Sequence, residues 1–251
     1  MKFTFLGTRG EIEARARRHG RHSSALVASG SGRVRMSKGV MIDCGEDWLE
    51  IFREINPGGI VLTHAHPDHA WGLRAGSHCP VWATEETWAA IDEYPIADRH
   101  VVRPREKFEV MGLTFEAFPV DHSVRCPAVC YRVSDGEDAS VLYAPDVVAI
   151  KDRTAAMKGV DVYVGDAATL TTSFVRKVGE GVGTLVGHTT VQAQIGWCRA
   201  EGVERAVFTH CGMEVTTAPE GEAEEAVRRL GLERGVEAVI AFDGMELSVK
   251  G

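Results

Sequence analysis

The segment Thr63-His64-Ala65-His66-Pro67-Asp68-His69 packs four side chains that can ligate a metal into six consecutive positions. It follows an apolar run, Gly59-Ile60-Val61-Leu62. A strand that ends there leaves the next loop free to aim several side chains at one point. In extended backbone, residues two apart face the same side, so His64 and His66 point together. Pro67 stiffens the turn, and Asp68 and His69 then reach a neighbouring position. Imidazole suits Zn, Mn, Fe or Ni, and the carboxylate widens the tolerance toward harder cations.

The same pattern recurs three times further along. Phe118-Pro119-Val120-Asp121 is followed by His122, Leu142-Tyr143-Ala144-Pro145 by Asp146, and Val207-Phe208-Thr209 by His210. Each is an apolar run with one candidate ligand at its end. Two divalent cations close together lower the pKa of a water between them, giving hydroxide at neutral pH, and stabilise charge on phosphoryl or carbonyl oxygens. The metals alone leave both chemistries open, because function belongs to the site and not to the fold.

These motifs resemble the metallo-β-lactamase superfamily in its HxHxDH form, from Phe3-Leu6-Gly7-Thr8 to the end of the chain. The resemblance implies an α/β fold, an αββα sandwich, as a single domain over residues 1–251. It implies one metal on His64, His66 and His122 and a second on Asp68, His69 and His210, with Asp146 bridging them. Zinc is the first expectation; manganese, nickel and iron are compatible. Asp43, in Met41-Ile42-Asp43-Cys44-Gly45, matches the superfamily's supporting aspartate. Gly187-His188-Thr189-Thr190 before a helix resembles the phosphodiesterase branch, which includes tRNase Z and the phosphoribosyl cyclic phosphodiesterase of phosphonate utilisation. That likeness makes His188 a catalytic residue beside the scissile phosphate, a general acid or stabiliser of the leaving oxygen. A helix-capping or packed histidine is the alternative. Asp68 is the second expected catalytic residue, orienting or deprotonating the water. The tail Ala241-Phe242-Asp243-Gly244 resembles that of the phosphonate-pathway enzyme and brings Asp243 toward the site edge. Arg18 and Arg21, in the basic segment Arg15–Arg21, suit bidentate phosphate contacts; a solvated loop is the alternative.

The substrate expected on this basis is a small, cyclic or nucleotide-like phosphodiester. A lactone, thioester or lactam is the carbonyl alternative, a tRNase Z-like ribonuclease another, and a redox metal protein the last. The thioesterase branch adds a long helical region at the C-terminal end, for which the 41 residues after His210 leave little room. The tRNase Z arm has no place either: Asp146 lies 24 positions after His122, and that gap is filled by strand-like runs Ala128–Val133 and Val141–Ala144 around a polar turn, Ser134–Asp138.

The positioning elements are short strand-like runs rich in Val, Ile, Phe and Tyr. They include Lys2–Leu6, Ser24–Ala28, Val40–Asp43, Ile60–Thr63, Val81–Ala83, Leu113–Val120, Val160–Val164, Ala206–Thr209, Ala238–Phe242 and Glu246–Val249. Helices are expected over Asp47–Ile55, Thr84–Ile91, Val191–Ala200 after Thr189 and Thr190 as N-caps, and Pro219–Glu233, with proline and acidic residues at its start. Strands mixed with helices in both halves imply sheets inside and helices outside.

Composition fits an ordinary globular protein, 44% hydrophobic and 25% charged. A net charge of -8 disfavours polyanion binding through the overall field, so nucleic acid is not an expected partner. The six cysteines show no CxxC pair and are expected to pack as free thiols. The start MKFTFLGTRG lacks a secretory pattern, and no apolar run spans a membrane. The cytoplasm is the expected compartment, and a homodimer is compatible with the resemblance.

Overall fold

The computed structural model describes residues 1–29, 39–136, 139–179 and 183–250. Its strands form two large sheets. The first runs in the order Glu246–Ser248, Lys2–Gly7, Ser24–Ala28, Val40–Ile42, Gly59–Val61, Val81–Ala83, Arg99–Val101. It is antiparallel up to Val40–Ile42 and parallel beyond. The second runs Ala149–Ile150, Leu113–Asp121, Ala128–Ser134, Ser140–Tyr143, Val162–Asp166, Arg205–Thr209, Glu237–Ile240, with Lys107–Val110 paired to Leu113–Asp121. Its last three pairings are parallel.

Alternation along the strands explains why these residues make four layers. Ile42 and Val61 point between the sheets, where they pack with Phe3, Phe5, Phe115, Tyr131 and Val207. Their neighbours Met41, Ile60 and Leu62 point the other way, against Trp48, Phe52 and Trp88. In the second sheet Val164 and Val207 face inward, while Tyr163 and Phe208 pack outward on Ile195 and Val227 of two helices, Val191–Glu201 and Glu222–Leu232. Period-two alternation therefore gives each sheet two apolar faces, one for the other sheet and one for helices. This is the α/β, αββα sandwich that the sequence predicts.

The expected strands hold to within a few residues, two of the four expected helices differ, and short helices at Arg153–Met157 and Met213–Thr216 were not expected. The segment expected as one helix over Asp47–Ile55 is a 3-10 turn, Glu46–Trp48, and a separate short helix, Phe52–Ile55. The cause is Asp47. Its carboxylate accepts from Arg9, from Arg15 at 2.7 Å and from the His22 amide at 3.0 Å, while the Trp48 indole donates to the His22 carbonyl at 3.1 Å. These long-range bonds pin the first turn out of line with the second. The helix expected from Pro219 begins at Glu222, because Gly221 adopts a left-handed φ of 85° that a helix interior excludes. Of the expected turn Ser134–Asp138, Glu137 and Asp138 lie outside the described residues. Among the described residues no helix is long and apolar enough to cross a membrane.

Candidate metal centre

The seven expected ligands converge at the ends of strands from both sheets. Gly59–Val61 delivers the segment carrying His64, His66, Asp68 and His69, the last two on a one-turn helix, Pro67–Ala70, with proline at its start. The second sheet delivers His122 after Leu113–Asp121, Asp146 after Ser140–Tyr143 and His210 after Arg205–Thr209. Loops beyond the carboxyl ends of parallel strands are where open α/β sheets build their sites. Apart from His66, every one of these seven side chains is buried.

His64 Nε2 lies 2.9 Å from His66 Nδ1, and His122 Nε2 lies 3.1 Å from the same atom. Three imidazole nitrogens thus converge on one point, as the donors to a shared cation do. Asp68, His69 and His210 form a second group whose ligand atoms lie within 4.8 Å of one another, and His64, His69 and Asp146 a third. Asp146 touches both sides: its Oδ1 is 3.7 Å from His122 Nε2 and 3.3 Å from His210 Nε2, and its Oδ2 is 2.8 Å from His69 Nε2.

Among the described residues the buried atoms Asp68 Oδ1, His69 Nε2 and Asp146 Oδ2 make no hydrogen bond of good geometry, although the last two face each other at 2.8 Å as an ion pair. Leaving a buried polar atom unsatisfied costs about 1–3 kcal/mol. Three such atoms at one point, in a set of five imidazoles and two carboxylates, fit a pair of divalent cations.

The surrounding bonds fix which ring nitrogen faces the centre. Asp43 Oδ2 receives His69 Nδ1 at 2.9 Å, so His69 Nε2 faces inward. Thr63 donates to Asp43 through its amide at 2.8 Å and its hydroxyl lies 3.0 Å from His64 Nδ1. Asp43 therefore occupies the supporting place expected of it, behind His69 and, through Thr63, behind His64. His122 Nδ1 is held 3.1 Å from the Gly187 carbonyl. Asp43 and His210 both sit at left-handed φ, 62° and 55°, a conformation non-glycine residues keep only where the surroundings enforce it.

Electrostatics divides the cluster. Burial pushes His64 well below its ordinary value and His66 down to about 4, and burial also lowers His122. These three are neutral bases. Burial opposes charge on His69 and His210 as well, but surrounding carboxylates outweigh it. Asp68 and Asp146 hold His69 well up, and Asp146 with Asp166 and Asp68 lifts His210 to about 10. Burial likewise opposes charge on Asp68 and Asp146, and the facing imidazoles hold both carboxyls well below the usual range.

His188 lines the same cavity, of about 300 Å³. It is only partly buried, and its Nδ1 lies 2.7 Å from Asp166 Oδ2. Asp166 is fully buried, accepts the Val147 amide at 3.1 Å and the Ala168 amide at 2.8 Å, and lies 3.8 Å from His210 Nδ1. Asp166 is not among the residues expected at the site, although it ends the run Val162-Tyr163-Val164-Gly165 as Asp146 and His210 end theirs. Glu11, Phe174 and Met213, also not anticipated, line the cavity.

The basic N-terminal segment lies elsewhere. Arg18 pairs with Glu224 at 2.9 Å and covers the Phe242 ring at 4.5 Å, and Arg21 lies over Trp48 at 5.0 Å. Neither lines the cavity. Asp243 also stays outside it: its carboxylate receives the Thr8 hydroxyl at 2.7 Å and the Gly20 amide at 2.9 Å, tying the segment down.

Several solved structures share this fold. YhfI from Bacillus subtilis, a metallo-beta-lactamase fold protein, matches with TM-score 0.73 at 17% identity over 98% of each chain. A diphosphatase from the PhnP family matches with TM-score 0.68 at 21% identity, over 98% of this chain and 97% of that one. An isothiocyanate hydrolase from Delia radicum gut bacteria matches with TM-score 0.67 at 15% identity over the whole of both chains. Among curated proteins none matches the chain. Residues 38–211, most of the chain and all seven clustered ligands, match the family described as beta-lactamase superfamily domain, and with this fold and this histidine–aspartate cluster the chain belongs to that superfamily of metal-dependent hydrolases.

Proposed function

We propose that the protein is a dinuclear metal-dependent phosphodiesterase acting on a small phosphodiester. The observation that carries this reading is the His188–Asp166 pair beside the ligand cluster. Burial pulls the His188 imidazole down, but Asp166 at 2.7 Å more than offsets it and the pKa is raised. A protonated imidazole at the cavity wall is what departure of an alkoxide requires. With Nδ1 committed to Asp166, Nε2 is the nitrogen available to that oxygen.

His64, His66 and His122 would hold one cation, Asp68, His69 and His210 the other, and Asp146 would bridge them. Zinc is the first choice for such nitrogen-rich ligands, with Mn, Ni and Fe compatible. When bound, the pair supplies a water nucleophile at neutral pH and draws charge from the phosphoryl oxygens. The protein would do the rest: Asp68, whose buried Oδ1 makes no hydrogen bond among the described residues, would orient or deprotonate that water, while His188 would give a proton to the leaving oxygen. The PhnP-family diphosphatase with this fold supports phosphorus as the electrophile. The isothiocyanate hydrolase favours a carbon centre as the second reading.

The test is turnover of bis(p-nitrophenyl) phosphate, with metal content determined for wild type, His188→Ala and Asp146→Asn. His188→Ala should retain its metals and lose about 10²- to 10⁴-fold in kcat. Asp146→Asn should lose metal and activity together. A fully metallated wild type that turns over a lactone or thioester but no phosphodiester would overturn the proposal.

A further inference from the structure

The cavity over the centre has two kinds of wall. Beside the imidazoles and carboxylates already described stand Ile12, Phe174 and Met213 with two further carboxylates, Glu11 and Glu214, and no lysine or arginine is among its lining residues. Phe174 is 56% exposed and Met213 50%, so both leave apolar surface uncovered. The two further carboxylates differ. Glu214 accepts the Leu170 amide at 2.7 Å and the Thr169 hydroxyl at 3.3 Å. The Glu11 carboxylate has neither a hydrogen bond nor an ion pair among the described residues. Burial, and after it the charge on Asp68, raises its pKa, as befits a carboxylate that faces the centre without a cation of its own.

The loop that presents Glu11 is fixed from beneath. The Gly10 amide donates to the Cys211 carbonyl at 3.0 Å, and a Cβ on Gly10 would lie 3.0 Å from the His210 ring, so the loop rests on a candidate ligand. Arg9, only 2% exposed, holds the loop in shape. Its guanidinium donates to the carbonyls of Gly20 and Gly10, each at 3.3 Å, and to that of Ile12, and it pairs with Asp47. Satisfied buried networks of this kind rigidify what they hold, so Glu11 is presented at a set place.

An apolar occupant would strip water from Glu11 and leave its charge unpaired, which is costly. An anionic one would meet Glu11 and Glu214 with like charge. An alkylammonium answers both walls: its charge faces the carboxylate, while its carbons and its cationic face suit an aromatic ring and the polarizable sulfur of a methionine. We infer that this side of the cavity binds a cationic arm of the substrate, a short alkylammonium group, with Glu11 against the charge and Phe174 and Met213 against the carbon around it. The bond that is cut rests on the phosphodiesterase reading, but the ammonium site itself needs no turnover. The substrate class is then a zwitterionic phosphodiester, one arm of which is an amino alcohol.

The test uses two esters of one shape that differ in one charge: p-nitrophenyl phosphorylcholine and its neohexyl counterpart, in which carbon replaces the quaternary nitrogen. Calorimetric binding of phosphocholine and neohexyl phosphate to the zinc-loaded protein is measured beside them. Wild type should favour the choline ester by roughly tenfold in kcat/KM, through KM, and bind phosphocholine tighter by a similar factor. In Glu11→Gln, with an unchanged melting temperature showing an intact fold, both preferences should fall toward unity. Glu11→Asp and Phe174→Leu should each keep part of them. Equal treatment of the paired compounds by wild type, or a preference that survives in Glu11→Gln, overturns the inference even if hydrolysis proceeds, and the wild-type comparison decides if a variant fails to fold. A Glu11-dependent binding preference without turnover of either ester sinks the phosphodiesterase reading and leaves the ammonium site standing.

Discussion

Asp166 and His188 are held 2.7 Å apart, so the charge on one sets the proton affinity of the other. Replacing Asp166 with Asn removes the negative partner and leaves burial as the dominant influence on His188, which lowers its pKa. The basic limb of the pH–kcat/KM profile should therefore move to lower pH in Asp166→Asn, with a loss of about 10- to 100-fold at neutral pH. A purely structural role would reduce activity at every pH and leave the limb in place. At this scale the candidate ligands were legible because each is a histidine or aspartate at or just beyond the end of an apolar run. Asp166 ends such a run too, but Gly165 and Ala167 beside it carry no chemistry that sets it apart. Arg18, Arg21 and Asp243 misled for a different reason: charge is visible in a sequence, its partner is not, and Glu224, Trp48 and Thr8 are those partners.

Between Val40–Ile42 and the Pro67–Ala70 turn, the chain makes an approach that only glycine permits. Gly45 has φ -72°, a value any residue tolerates, but a Cβ there would lie 1.9 Å from the Asp68 carbonyl oxygen. The Cys44 amide donates to the His69 carbonyl at 2.7 Å and so clamps the same two segments. Gly45→Ala must push Asp68 and His69 off their positions. It should destabilise the fold by about 1–3 kcal/mol in chemical denaturation and weaken metal binding, whereas a change driven by backbone conformation alone would be neutral or stabilising. Contacts of this kind are invisible in sequence, as is the pinning of Asp47 that splits the expected helix over Asp47–Ile55. The short strands Arg99–Val101 and Arg176–Val178 carry no alternation that a sequence could show, because all their residues are exposed.

Across the whole molecule the seven ligand side chains carry opposing tendencies that a cation would reconcile. Without metal, His210 is raised from 6.5 to about 10 by its carboxylates. A raised folded-state pKa gives stability that is fully present below the unfolded value and is lost as pH rises through the folded one. The melting temperature of the metal-free protein should accordingly fall between about pH 7 and pH 10. Added zinc should cancel the fall and release protons, because it takes the place of those on His69 and His210. A melting temperature that is flat or rising across that window would contradict the assignment. The four-layer architecture was legible because short apolar runs such as Val162–Asp166, buried along their whole length, mark strands covered on both faces, and because strand ends carry the chemistry. Neither sheet owns a complete set of ligands: the first brings His64, His66, Asp68 and His69, the second His122, Asp146 and His210. The centre is therefore a keystone. During folding it comes into being only when the two halves of the sandwich close on each other, so tight metal binding would belong to the last step and each cation of the proposed pair would fasten one half to the other across the seam.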